Sequence, residues 1–444
     1  MSVRFVWLGA ALATVLVMIL LAGATATSAQ AIGPTSPLLA AVHPGVISTK
    51  TVRVGSDPNV ELYDPTNHEM YVANYGGSNV TAVNSTTYAV KSIAVGSGPL
   101  ILTYSASSKD VYVLDFELKV IKVISSANKV IHNITLPGDA FTQIYDPANG
   151  DVLVEVSTTT GAEISDVNHA TYALKNVALP ALGIFLAYDN ASSSVVVPCT
   201  DLNELVAISS TDVATTIKLT TGLSPAWMTY NPDDKDLYVS DLGETSHGVT
   251  KTGNISVLSS INKIIGTVKV GEFPFFSSYD PANHDIYTVN VGVKTNGTYP
   301  ASTISVIGPS APFTVVKTIT VGKGAGVATY DPKNREMYIS APASNKTYAI
   351  NSTTNAIAAT ITTTQYATAS LYDSALGDMI AVGFTTFVDT TSTAKTVVTV
   401  IPSSNTGTST LTLGTGAAGG VGYDPTDSGL WITNEGAKSV SVIL

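Results

Sequence analysis

Cysteine is almost absent from this 444-residue chain. Cys199 stands alone, so no internal disulfide, thiolate zinc or iron–sulfur cluster, or C-x-x-C-H haem attachment can form. Charge is sparse too: 12% of residues are charged, 22 basic against 33 acidic, for a net charge of −11. Lys and Arg are nowhere clustered, which excludes nucleic acid, whose phosphates need a basic stripe. Histidine numbers only six and forms no metal-ligand motif. Apolar residues make up 45%, enough for a large core and incompatible with wholesale disorder.

Long hydrophobic runs are lacking, with one exception. Val6 to Ala22 is uncharged and apolar, Arg4 precedes it, and Ala29-Gln30-Ala31 has the small-x-small form of a signal-peptidase site. Residues 1–31 read as a signal peptide or an uncleaved N-terminal anchor, so the remainder is expected outside the cytoplasm, extracellular or on the cell surface. Contact with the membrane is expected only through residues 6–22, if they are retained. Residues 32–48, with Pro34, Pro37 and Pro44, read as an extended linker.

Self-similarity dominates the rest of the chain. Tyr63, Tyr104, Tyr145, Tyr188, Tyr230, Tyr279, Tyr330, Tyr372 and Tyr423 recur at steps of 41 to 51 residues. Five continue as Tyr-Asp-Pro, a turn in which the aspartate accepts from the backbone two residues on and proline presets φ; Asn67 and its counterparts tolerate a left-handed conformation. Each turn leads into short β-branched and aromatic runs such as Met70–Asn74, Val80–Val83 and Val90–Val95. With the run ending at the tyrosine, every unit has four strands, the signature of a β-propeller blade. Lys50–Gly55 matches a fourth strand without its first three, and the last unit has only three. The amino-terminal strand should therefore complete the final blade and remove two sheet edges. The reading is one all-β propeller over 49–444, nine-bladed by repeat count, with an eight-bladed ring as fallback.

Tyr71-Val72-Ala73-Asn74, Tyr238-Val239-Ser240-Asp241 and Trp431-Ile432-Thr433-Asn434 resemble the Tyr-Val-Thr-Asn element of the YVTN-family β-propeller repeats of archaeal and bacterial surface proteins. Val95-Gly96-Ser97-Gly98-Pro99 and Val270-Gly271-Glu272-Phe273-Pro274 fit the same pattern. The resemblance covers residues 49–444 and implies an exported, surface-layer-like protein. It carries over no catalytic residue.

In a propeller, loops joining blades and loops between second and third strands share one face. The second-to-third loops are long in three units only, Leu242–Gly253, Val291–Ser302 and Phe384–Lys395, in blades 5, 6 and 8. Trp227, Phe273, Phe276, Tyr299 and Phe384 gather in that sector and could stack on sugar rings or grip a peptide; for Phe275 and Trp227 packing between blades is the favoured reading, while Tyr299 and Phe384 suit either role. His247 is the one histidine on this face. His68 and His284 fall in the opposite turns, while His132 and His169 fall in outer positions. Asp241, Glu244 and Glu272 could supply part of a calcium site, and no other cofactor is expected. The repeated aspartates are turn residues, and Cys199, among valines, is a buried thiol. Sequons stand at Asn79, Asn84, Asn133, Asn190, Asn254, Asn296, Asn345 and Asn351, candidate glycosylation sites in an exported chain. The sequence thus points to a non-catalytic binding or structural module for envelope proteins or glycans. The alternative is a secreted propeller enzyme, a lactonase-like hydrolase or a quinone- or metal-dependent oxidoreductase, with its site at the channel mouth.

Overall fold

The computed structural model describes residues 47–183, 185–221, 223–243, 245–246, 249–250, 252–293, 298–364, 366–384, 395–416 and 418–444. The amino-terminal apolar run, Glu244, His247 and Asn296 lie outside them. Nine four-stranded antiparallel sheets follow one another along the chain, so the ring has nine blades and not eight. Blade 1 runs Pro58–Asp64, Glu69–Asn74, Asn79–Asn84 and Val90–Ala94 from first to fourth strand. Blade 9 takes Val421–Asp424, Gly429–Asn434 and Ser439–Ile443 from the end of the chain and Thr49–Arg53 from its start. That closing strand pairs antiparallel with Ser439–Ile443, in register Thr49 to Ile443. The first strand of blade 1 lies against those of blade 2 and blade 9, completing the circle. Among the described residues no helix is long and apolar enough to cross a membrane.

Burial explains the sequence pattern of each strand. Second strands are sandwiched within a sheet and between sheets, so Asp110–Asp115 and Leu237–Val239 are buried throughout. Fourth strands form the rim: Thr49–Arg53 buries only Val52, and Lys50, Lys91, Lys129 and Lys218 stud the exposed edges, which discourages strand addition by another chain.

The Tyr-Asp-Pro-x-Asn turn binds three places at once. Asp64, Asp146, Asp280, Asp331 and Asp424 each accept through Oδ1 from the backbone N–H two residues on, all at 2.8 Å. The tyrosine hydroxyl reaches back to the preceding blade's turn: Tyr104 to Thr66 at 2.7 Å, Tyr145 to Ser107 at 3.0 Å, Tyr63 to Thr426 at 2.7 Å and Tyr423 to Ser374 at 2.6 Å. The asparagine reaches forward to the outer hairpin of the next blade: Asn67 to the Ser126 carbonyl, Asn149 to Ser210, Asn283 to Ser352 and Asn334 to Ser403. One expectation is corrected. The left-handed residue is not Asn67 but the next one, His68 at φ 56°. The same place is left-handed in all nine blades, at Lys109, Gly150, Ser193, Lys235, His284, Arg335, Gly377 and Ser428. Asparagine keeps an ordinary backbone because its side chain is the forward staple.

Candidate functional site

First strands begin, and second strands end, on one face: Pro58 pairs with Asn74, Pro99 with Asp115, Pro225 with Asp241 and Pro274 with Asn290. In four blades the turn leaving the second strand is a single 3-10 turn: Tyr75–Gly77, Thr200–Leu202, Pro342–Ser344 and Glu435–Ala437. In blades 5, 6 and 8 the same connection spans the gaps from Asp241 to Thr252, Asn290 to Ala301 and Phe384 to Lys395. The strand ends from which the three insertions leave and to which they return therefore lie on the face expected from the sequence.

An aromatic cluster lies at the roots of the first two. Phe185 enters blade 4, Trp227 blade 5, and Phe273, Phe275 and Phe276 blade 6. Trp227 meets Phe185 edge-on at 5.1 Å and Phe276 at 5.4 Å; Phe275 meets Phe276 at 4.7 Å, and Phe273 stacks on Phe275 at 5.7 Å. Phe185 also meets Phe275 at 6.2 Å, so rings from blades 4 and 6 touch across the head of blade 5. Such pairs add about 0.5–1.5 kcal/mol each beyond area burial. Leu242 and Val291, the first residues of the blade 5 and blade 6 insertions, pack on the same cluster. Their N–H groups donate to the carbonyls of Ser224 and Phe273, both at 3.0 Å.

The candidate partner-binding residues divide by burial. Phe276 is 2% exposed and fills the interior, so it supports the face without reaching a partner. Trp227 is half-buried, and its indole N–H donates to the Ser277 carbonyl at 3.2 Å, so its polar end is already engaged between blades 5 and 6. Phe273 is half-buried at φ 54°, where five other blades place Asp57, Gly98, Ser224, Gly324 and Tyr366 in the same left-handed conformation. Phenylalanine gains nothing there from its backbone, so its ring is what the position uses. Tyr299 is 37% exposed and lies over Gly324, 3.9 Å from where a Cβ would stand. The strand carrying Phe384 ends at that residue; its side chain and His247 lie outside what is described.

Asp241 and Glu272 do not share an environment. Asp241 occupies the place of the asparagine in the Tyr-Val-Thr-Asn element. Fully buried, it accepts from Ser256 Oγ at 2.6 Å, and burial pushes its carboxyl up to about 7. Glu272 is exposed, and Glu244 lies outside the described residues. Among the described residues no three His, Cys, Asp or Glu side chains gather as a metal site. Asn290 and Asn434 show what this position does elsewhere. Their Oδ1 accepts from the N–H of Gly271 and Gly414, each at 3.1 Å, while Nδ2 donates to Ser305 and Ser441, each at 3.0 Å.

Cys199 is fully buried, and burial raises its thiol to about 11. His132 stacks on Tyr172 at 3.9 Å, and His169 meets Asp151 at 2.8 Å. Of the sequons, Asn133, Asn190 and Asn345 are exposed, Asn79, Asn84, Asn254 and Asn351 half-buried. Asn84 and Asn351 spend Oδ1 on the turn after them.

Several notable groups gave no signal in the sequence. Glu61, on the first strand of blade 1, is 6% exposed, and burial drives its carboxyl well above the usual range. It faces Gly420 of blade 9, where a Cβ would lie 2.2 Å from Oε2. Glu435 lies alongside, raised to about 7 by burial and then by the charge of Asp57. Glycines at 419 and 420 were the only available hint, since they leave space for these side chains.

The geometry defines a nine-bladed β-propeller with one elaborated face. No protein-family model matches the chain, and none of the curated proteins matches it in sequence. Solved structures share the fold at low identity. A dihydro-heme d1 dehydrogenase, NirN, in complex with DHE aligns with TM-score 0.54 at 13% identity over 74% of this chain and 75% of that one. The Dos1 propeller aligns with TM-score 0.53 at 10% identity over 89% and 95%, and Sqt1 of Saccharomyces cerevisiae with 0.52 at 11% over 83% and 98%. At such identities the likeness is one of fold alone.

Proposed function

We propose that this chain is an exported, YVTN-type surface propeller that binds an envelope protein or glycan without catalysis, through the loop face over blades 5, 6 and 8. One observation carries the reading: the blade 5 and blade 6 insertions are both rooted, at Leu242 and Val291, on the one hydrophobic cluster that holds Phe185, Trp227, Phe273, Phe275 and Phe276. Loops that were merely tolerated would have no reason to share a rigid hydrophobic footing. A rigid base under long loops is what a binding surface needs to limit the entropy lost on association. Phe273 and Tyr299 offer the rings for stacking on a sugar or peptide.

Replacing residues 244–251 by a turn as short as Tyr75–Gly77 should leave the melting temperature within a few degrees and lower retention on isolated cell envelope by tenfold or more. Phe273→Gly is the matching point change. It exchanges ring stacking for an unstrained left-handed backbone, so stability should change by no more than about 1 kcal/mol while binding falls. Unchanged retention in both variants would remove this face from consideration.

A further inference from the structure

The Tyr-Val-Thr-Asn tyrosine has a second task, at the outer edge of the seams. In blade 1 the buried Tyr71 donates to Asn128 Oδ1 at 2.5 Å, across to the outer hairpin of blade 2. Tyr338 does the same to Asn405 at 2.5 Å, and Tyr287 to Asn355. The accepting asparagines sit left-handed at the hairpin tip, with φ of 58°, 60° and 50° in that order. Beside each tyrosine the third strand carries a small or apolar partner: Ala82, Ala349 and Val306.

Blade 3 departs from this plan at three positions. Leu153 replaces the tyrosine, its cross-strand partner is Asp166, and the hairpin tip of blade 4 is Asp212, left-handed at φ 62°. The rest of the joint is preserved, since Asn149 still donates to the Ser210 carbonyl. Thus a carboxyl group stands beside the leucine that replaces the tyrosine, and the hairpin tip offers a carboxyl group in place of an amide. The two side chains lie within hydrogen-bonding reach of each other. Asp166 is 3% exposed, and Oδ1 of each is buried without a donor among the described residues. Two ionised carboxylates offer only acceptors, so a bond between them requires one proton.

We propose that the seam between blades 3 and 4 is a proton-dependent latch, closed when Asp166 carries a proton and donates it to Asp212, and loosened when that proton is lost. The surroundings assign the roles. Lys175, which stands across the strands from Asp166, turns its Nζ to Asp212 Oδ2 at 2.7 Å, so the lysine is engaged by Asp212. Asp166 is held protonated first by burial, then by its bond to Asp212 and by the charges of Asp212, Asp151 and Asp146. His169 is turned to Asp151 at 2.8 Å and does not offset Asp166. Because folding raises the affinity of Asp166 for its proton, the contribution is whole below the unfolded carboxyl range near pH 4. It is lost as pH rises through the folded value.

Melting of the intact protein and of Asp166→Asn at pH 4 and pH 8 tests this. The amide supplies the donor at every pH and leaves Lys175 and Asp212 paired. The two proteins should melt together at pH 4, and Asp166→Asn about 2 °C or more higher at pH 8. Equal differences at both pH values would overturn the latch, as would a lower melting point for the variant at pH 8 alone. Should Asp166→Asn fail to fold, Asp212→Asn provides the same donor from the other side; it also removes the Lys175 pair, so the expected reading is a melting point that gains on the intact protein between pH 4 and pH 8, and no such gain would overturn the latch. Hydrogen exchange gives an independent reading. Corrected for intrinsic rates, amides of residues 209–214 should lose protection between pH 5 and pH 8 relative to residues 125–129, where Tyr71 makes the joint. In Asp166→Asn they should not, and equal loss in both proteins would overturn the proposal.

Discussion

Tyr71 and Tyr112 occupy equivalent places in blades 1 and 2, both fully buried, yet their hydroxyls differ. Tyr71 has Asn67 at 2.8 Å and Asn128 at 2.5 Å, whereas the Tyr112 hydroxyl has no such asparagine. The ring is the part of the tyrosine that both positions need, and the hydroxyl is a staple only where an amide awaits it. Tyr71→Phe should therefore cost about 1–3 kcal/mol, since it also takes the donor from Asn128 Oδ1, while Tyr112→Phe should cost under about 0.5 kcal/mol. Urea melts of the two variants decide the matter. Equal losses would mean that the staple contributes nothing.

At the scale of the strand, the Val-Gly pair ending several fourth strands has a mechanical cause. A Cβ on Gly271 would lie 2.7 Å from Asn290 Cγ, and one on Gly414 2.4 Å from Asn434 Cγ. The asparagine that ends the second strand clamps the glycine N–H, so the fourth strand must come close enough to exclude a side chain. Gly271→Ala should destabilise by about 1–3 kcal/mol through overpacking, with part regained in Gly271→Ala/Asn290→Ala. Losses in the double variant equal to the sum of the single ones would show that the two residues do not interact. The glycine and the asparagine were both legible as repeat markers. Their contact was not, because they are 19 residues apart and meet only when the sheet is formed.

For the whole molecule, burial is the main force acting on carboxyls: Asp64, Asp146, Asp280 and Asp373 are raised by it, whereas Asp233 is lowered, first by its bond from Tyr279 and also by His284. Glu155 and Asp241 both rise to about 7 and are fully buried. An acid whose folded value lies above its unfolded one binds more protons when folded. Its contribution is intact below pH 4 and lost on the way to pH 7, by about 3 kcal/mol for each of these two residues. Acid brings little opposing repulsion, since 22 Lys and Arg with six His carry at most 28 positive charges over 444 residues. The melting temperature should accordingly be higher at pH 4 than at pH 7.5. A maximum near neutrality would contradict the burial argument.

The sequence by itself determined the repeat, the strand count of each blade, closure by the amino-terminal strand and the face from which the insertions leave. All of these come from local periodicity and turn chemistry, which are written in consecutive residues. Tertiary structure alone decided what joins the blades, because those partners come from different repeats. It placed Phe185 of blade 4 against Phe275 of blade 6 and buried Phe276 beneath the face it was expected to present. It moved Asp241 into a strand clamp and set Asp166 opposite Asp212, 46 positions along the chain. A carboxylate's neighbours, and hence its charge, depend on which seam it falls in, and one-dimensional spacing does not contain that information.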